Sequence, residues 1–375
     1  MSARGVGVAV LAALAVVVRV APAQDLLVRG GTVVTGTGEI IEGGSVLISG
    51  GKIAAVGRDL RASGKALVVE AEGRFICPGF IDAHSHLGLH PGELDETVLP
   101  ISVETSPLGA FDPRCQAATA ALALGVTTAL LAPGYANLLS GPGAAVKLGR
   151  DSPLSRTASV SISVSTSALL PDRKPTSMPV LLEMVHLALA EAEQATDQSA
   201  PLSQAARGGL PVQVYCDGAS SVEQALALVR EFGLRGSVLV PDMPKSLPSL
   251  LAGTGVAALL PPLTRVPEDR YLAEPAKLVA AGVPIAFTSM AMGDQAPDVR
   301  TSAALAVSAG LAREDALRAL TLGAAEILGI SDHVGSLEKG KDGDLLVIGG
   351  HPLDLAAPVE YAVVDGAVVY ERGAK

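Results

Sequence analysis

From Gly79 to Gly329 short apolar runs alternate with Ala/Leu-rich stretches that end in glycine. The stretch 117–124 stops at Gly125, and Val126-Thr127-Thr128-Ala129-Leu130-Leu131 follows. Ser220-Ser221-Val222-Glu223 has the spacing of a capping box and predicts a helix that stops at Gly233, ahead of Ser237-Val238-Leu239-Val240. Pro275 suits the first turn of a short helix reaching Ala281. Gly282 then leads into Val283-Pro284-Ile285-Ala286-Phe287. A glycine after each helix supplies the left-handed residue that turns the chain back into a strand. Repeated helix–strand units predict parallel strands, and runs apolar on both faces predict helical cover. Eight strands are predicted, near residues 79–86, 126–132, 144–148, 159–165, 211–217, 237–242, 255–261 and 283–290. Eight strands that close on themselves make a (β/α)8 barrel of the TIM type, an α/β fold.

Outside this region the period drops to that of strands. Residues 25–76 hold short β-branched runs broken by Gly30-Gly31 and Gly50-Gly51, which predict hairpins. The C-terminal end follows the same pattern, with Leu345-Leu346-Val347-Ile348, then Tyr361-Ala362-Val363-Val364 and Val368-Val369-Tyr370 across Asp365-Gly366. Each end is too small to fold alone, so the two are expected to pair into one small β-sandwich. The expected division is a signal peptide at 1–23, sandwich at 24–77, barrel at 78–334 and sandwich again at 335–375.

The signal reading rests on Arg4, the apolar run from Val6 to Val18, and Ala21-Pro22-Ala23, small residues two apart. An uncleaved anchor is the other reading of this segment, but the apolar run is short for a bilayer. Export to the periplasm or the cell exterior is the expectation, with no membrane contact after cleavage. A net charge of −10 offers no basic surface for nucleic acid. Cys77, Cys115 and Cys216 have no metal-type spacing and predict no disulfide framework.

His84-Ser85-His86 ends the first predicted barrel strand, Gly79-Phe80-Ile81-Asp82-Ala83. Strand residues two apart face one side, so both imidazoles point into the mouth at the C-terminal end, with a spacing that suits one shared cation. With Pro78-Gly79-Phe80-Ile81-Asp82-Ala83 before it, Gly125-Val126-Thr127-Thr128, and Gly335 through Leu345, the chain resembles the amidohydrolase superfamily, nearest the imidazolonepropionase-like group. The resemblance implies a barrel with a β-sandwich and hydrolysis of C–N bonds. A metal-bound hydroxide would attack, and an aspartate on the last strand would shuttle the proton.

The resemblance further implies a Lys or Glu at the end of the fourth strand, a His on the fifth, a His on the sixth and an Asp on the eighth. The chain has Val160-Ser161-Ile162-Ser163-Val164-Ser165-Thr166, then Tyr215, Pro241 and Met290 at those places. A catalytic zinc takes three protein ligands and water. His84 and His86 supply two, which leaves Asp217, Asp294 or His90 for the third. His186 is read as an outer-helix residue, and His333 and His351 as turn residues.

Three functions follow. One is an impaired or inactive homologue that serves as a scaffold for a small molecule, for a second copy, or for an active relative. Another is a hydrolase with a rebuilt mononuclear site, His84, His86 and Asp217 on one Zn²⁺, with Asp294 or Asp242 as base. The third is a structural protein without metal, its mouth filled by Tyr215 and Met290. The cofactor expectation is thus one Zn²⁺ or none. The loops Gly134-Tyr135-Ala136-Asn137 and Leu139-Ser140-Gly141-Pro142-Gly143 lie where they would shape the mouth.

Overall fold

The computed structural model describes residues 25–62, 64–266 and 268–374, so the segment read as a signal peptide lies outside the described residues. The first five strands are β1 (Leu26–Val34), β2 (Ile40–Ser49), β3 (Lys52–Gly57), β4 (Leu67–Glu70) and β5 (Phe75–Pro78). Gly50-Gly51 turns β2 into an antiparallel β3, as a glycine pair with positive φ allows.

The central region contains β6 (Phe80–Leu87), β7 (Ile101–Ser102), β8 (Val126–Leu131), β9 (Leu139–Lys147), β10 (Pro153–Val164), β11 (Val212–Cys216), β12 (Gly236–Leu239), β13 (Ala257–Leu260), β14 (Ile285–Phe287) and β15 (Met292–Gly293). Its helices are α1 (Gln116–Ala123), α2 (Met178–Gln194), α3 (Pro201–Ala206), α4 (Ala219–Phe232), α5 (Leu247–Leu251), α6 (Glu274–Ala280), α7 (Val299–Ser308), α8 (Arg313–Leu320) and α9 (Leu322–Leu328). None of them is long and apolar enough to cross a membrane, among the described residues. Gly233 and Gly329 close α4 and α9 with φ of 61° and 69°, values an L side chain rarely adopts.

The central strands form one curled ten-stranded sheet in the order β14-β13-β12-β11-β10-β9-β8-β6-β15, with β7 on β9. The apolar faces of the outer helices pack on it in one large core containing Leu181, Val185, Val222, Leu278 and Val299. The segment around β14 and β15 touches both edges. Thr288 N–H donates to Leu260 O at 3.1 Å on one side, and Met290 N–H to His84 O at 3.1 Å on the other.

Three expectations need correction. The third barrel strand is longer than predicted, and β9 runs antiparallel to both β8 and β10. The connections on either side of β9 are too short for a crossover helix, and antiparallel neighbours need none. Next, α4 starts at Ala219 with Gly218 as its cap, and the expected Ser220–Glu223 box is not formed. Instead Ser221 Oγ accepts from Gly218 N–H and donates to Gly218 O, both at 3.0 Å. Finally, the two chain ends are joined by hydrogen bonds into one sheet and not two separate ones. With β16 (Leu345–Ile348), β17 (Val359–Val364) and β18 (Ala367–Glu371) they form one hydrogen-bonded sheet of eight strands, β18-β17-β16-β5-β1-β2-β3 with β4 on β1. The reason is β5, which pairs antiparallel with β16 on one edge and parallel with β1 on the other. The sheet surrounds its own core of Leu26, Val28, Ile48, Ile76, Leu345, Val347 and Val363.

One buried ion cluster ties the two sheets together. Lys147, at the end of β9, reaches Asp342, Asp344 and Asp365 of the C-terminal segment. Burial works against its charge, but the carboxylates prevail and hold the ammonium above its ordinary pKa.

Candidate active site

The strand β6 is buried along its whole length, and its pleat places Asp82, His84 and His86 on one face. His84 Nδ1 lies 2.6 Å from Gln213 Oε1. The Gln213 amide nitrogen donates to Ala83 O at 3.0 Å, which makes Oε1 the acceptor and fixes the proton on His84 Nδ1. His86 Nδ1 lies 2.9 Å from Ala132 O, a carbonyl that can only accept, so this imidazole also carries its proton on Nδ1. Both Nε2 atoms therefore present lone pairs, and both meet the same hydroxyl. Tyr135 Oη is 2.9 Å from His84 Nε2 and 3.3 Å from His86 Nε2. Burial, with His86 alongside, pushes the His84 pKa down to about 3, and burial lowers that of His86. Burial holds the Tyr135 phenol well above its ordinary value. Two neutral imidazoles thus share one neutral O–H.

Tyr135 is positioned by three neighbouring segments. Asp95 Oδ1 accepts from Ala136 N–H at 3.2 Å. Arg173 donates to Ala136 O, and at 2.7 Å to Asn137 Oδ1. Asn137 Nδ2 donates to Ser102 Oγ at 2.7 Å. A Cβ at Gly134 would sit 1.9 Å from Asp95 Oδ2, so a side chain there would have to displace Asp95 or the loop. The Tyr135 ring stacks on Tyr215 with centroids 3.8 Å apart, and lies at 17° to the His84 ring. The space left among His84, Tyr135, Ser161, Gln213 and Tyr215 is about 10 Å³, room for one water at most.

Of the other expected site residues, Tyr215 and Met290 adjoin this pair, through the Tyr135 ring and through the His84 backbone, and the remaining candidates do not join it. Asp217 is exposed and its carboxylate accepts from Thr166 N–H at 2.6 Å. Asp242 and Asp294 are exposed. His90 is exposed as well; it caps a short 3-10 turn, and its backbone N–H donates to Glu93 at 2.7 Å. Its ring lies beside Gly293. Met290 takes a φ of 46° in the turn that joins the last strand to β15. Buried Asp82 holds that turn by accepting from Ser289 N–H at 2.8 Å and from Ser289 Oγ, and burial raises its pKa to about 6. His186 pairs with Glu231 on the outside, at 2.9 Å. Among the described residues no three His, Cys, Asp or Glu side chains converge where they could hold a metal ion.

Gln213, Asp82 and Ser289 are the site residues that sequence reasoning missed, and Tyr135 was placed at the mouth but given no role at the histidine pair. Gln213 had a signal, since it is a lone polar residue between Val212 and Val214 in an otherwise apolar strand. Asp82 had another, two residues before His84 on the same face. Tyr135 had only its place in a glycine-bearing loop.

The sequence profile of the amidohydrolase family matches residues 247–370. An imidazolonepropionase from Caulobacter sp. (strain K31) is 27% identical over 322 residues, covering 74% of this chain and 80% of that protein. The crystal structure of an amidohydrolase from Thermotoga maritima MSB8 superposes with a TM-score of 0.81 at 26% identity, covering 92% of this chain and all of that one. The chain belongs to the amidohydrolase superfamily. A second imidazolonepropionase, from Syntrophobacter fumaroxidans (strain DSM 10017 / MPOB), is 30% identical over 159 residues, 41% of this chain and 37% of that protein.

Amidohydrolases are typically metal-dependent, and a hydrolytic cation makes definite demands on its donors. It takes three protein ligands and keeps one position open for water. This chain brings two imidazole nitrogens together and places beside them a phenol that burial keeps protonated. Among the described residues no carboxylate joins the pair, and the space beside it cannot take a substrate. The residues present do not fit a hydrolytic metal centre.

Proposed function

We propose that this amidohydrolase-superfamily chain is a partner scaffold, for a second copy or an active relative, in which the hydrolytic centre has been lost. The single observation that carries the reading is the closed mouth. Sites for small ligands enclose roughly 300–1,000 Å³, whereas about 10 Å³ remains between His84, Tyr135 and Tyr215. Hydrolysis in this superfamily draws on a metal-activated water, and losing it costs many orders of magnitude in rate. The four strand ends that the resemblance assigns to ligands and base carry Ser165-Thr166, Tyr215, Pro241 and Met290 instead. A closed (β/α)8 barrel is part of the same reading, supported by the hydrogen bonds of segment 285–293 to both edge strands. Export, supported by the pattern of Arg4 through Ala23, puts the scaffold outside the cytoplasm.

The test is turnover. The purified protein, with and without added Zn²⁺ or Mn²⁺, is assayed against N-acyl amino acids and imidazolonepropionate. No rate above the blank is expected. Metal-dependent turnover that disappears in His84→Ala overturns the reading.

One observation favours an active alternative. Both Nδ1 atoms are tied to fixed acceptors, the support that aims an imidazole at a metal. Together with hydrolase relatives, this supports a mononuclear hydrolase at His84 and His86. Its third ligand would have to reach the pair after a rearrangement, since Asp217 is exposed and engaged by Thr166.

A further inference from the structure

We propose that Tyr135 is a built-in substitute for the absent cation, and that its loop is what keeps the His84–His86 pair from binding one. This deepens the scaffold reading and rests on it only in taking the native pair as metal-free.

Proton positions define what the pair lacks. His84 and His86 each hold their single proton on Nδ1, facing Gln213 and Ala132. Two buried Nε2 lone pairs therefore converge, and such atoms are costly to leave without a partner. The only hydrogen-bonding group that meets both, among the described residues, is Tyr135 Oη. It has one proton for two acceptors. The shorter approach, 2.9 Å, takes the hydrogen bond, and the 3.3 Å approach to His86 is left with a shared or absent proton. A divalent cation would satisfy both lone pairs at once, which one hydroxyl cannot.

The tyrosine nevertheless holds the position because everything around it is arranged to keep it there. Asp95, Arg173, Asn137 and Ser102 fix the two residues that follow it. Gly134 lets the chain pass against Asp95 without a side chain. Tyr215 covers the outer face of the ring. The loop thus presents a hydroxyl at the point where the lone pairs meet and leaves no volume for an ion with its water. Freed of the ring, the two imidazoles are a preoriented bidentate site. Nitrogen donors of this type favour borderline cations, in the order Ni²⁺ below Cu²⁺, with Zn²⁺ also accepted.

The experiment is Zn²⁺ and Ni²⁺ titration by calorimetry on the full chain. The wild type is expected to bind no cation at this site. Tyr135→Ala is expected to bind one equivalent at least tenfold more tightly than any wild-type binding, and the double variant His84→Ala/Tyr135→Ala to lose it. Removing a buried ring also threatens the fold, so Arg173→Ala supplies a second readout. It keeps the ring and loosens only the loop, and is expected to gain a weaker site that His84→Ala removes. The proposal is overturned if the wild type binds one cation as tightly as Tyr135→Ala, or if folded Tyr135→Ala and Arg173→Ala both gain nothing. Neither result depends on turnover, so failure here and failure of the scaffold reading are told apart.

Discussion

Tyr135 and Tyr215 lie face to face, their centroids 3.8 Å apart and their planes 15° apart. Tyr215 stands where the superfamily resemblance implies a histidine. Stacking contributes about 0.5–1.5 kcal/mol beyond area burial. Tyr215→Ala should therefore lower stability by about 2 kcal/mol in urea denaturation. Tyr215→Phe, which keeps the ring, should stay within about 0.5 kcal/mol of the wild type. A large loss in Tyr215→Phe would show that the hydroxyl, and not the stack, matters.

His84 gives a pH dependence whose sign can be worked out. Its folded pKa is about 3, whereas an unfolded histidine titrates near ~6.5. Between these values the unfolded chain binds a proton that the native one does not, so stability falls as pH drops below ~6.5. At pH 5 this group should cost about 2 kcal/mol relative to pH 8, a loss that His84→Gln removes. Asp82 works in the opposite direction. Its folded pKa of about 6 means that the native state keeps a proton the unfolded chain releases above ~4, so its penalty grows as pH rises through that window. Urea midpoints at pH 5 and pH 8 for the wild type, His84→Gln and Asp82→Asn separate the two.

Gly134→Ala places a methyl group 1.9 Å from Asp95 Oδ2, so either Asp95 or the Tyr135 loop must move. A loss of about 1–3 kcal/mol is expected. The chain has no tryptophan and five tyrosines, so tyrosine fluorescence reports the displacement directly. An unchanged spectrum with unchanged stability would mean that the loop is not tightly held.

Lys147→Met removes the ammonium that Asp342, Asp344 and Asp365 share, which leaves Asp342 with Lys52, Asp365 with Arg150, and buried Asp344 without its cation. Breaking a buried ionic group in this way costs about 3–5 kcal/mol. Thermal unfolding should shift down markedly. The shift should shrink when Asp344→Asn is added, because the second change removes the stranded charge.

Much of the architecture was legible in the chain. The glycine-closed helices and apolar strands marked the α/β region, and the Asp365-Gly366 turn marked the terminal hairpin, because these signals are local. The direction of β9 was not legible: apolar runs look alike whichever way they run, and only the missing crossover helix separates the cases. His84 and His86 were readable from a two-residue period. What meets them was not, because Tyr135 reaches the pair from a loop 49 residues beyond His86 and is positioned by Asp95 and Arg173, contacts that no sequence pattern encodes. Asp217 was two residues from the right place in sequence, yet in a strand end that step carries a side chain out to the rim, where Thr166 engages it.

The pairing of β5 between β1 and β16 has a consequence for synthesis. A ribosome delivers β1 to β5 first and β16 only after more than 250 further residues. Until then the edge of Phe75–Pro78 that will face Leu345–Ile348 stays open, with its backbone donors and acceptors uncovered. The nascent chain must therefore carry an unfinished template through most of its production, and whatever shields that edge in the meantime guards the yield of folded protein.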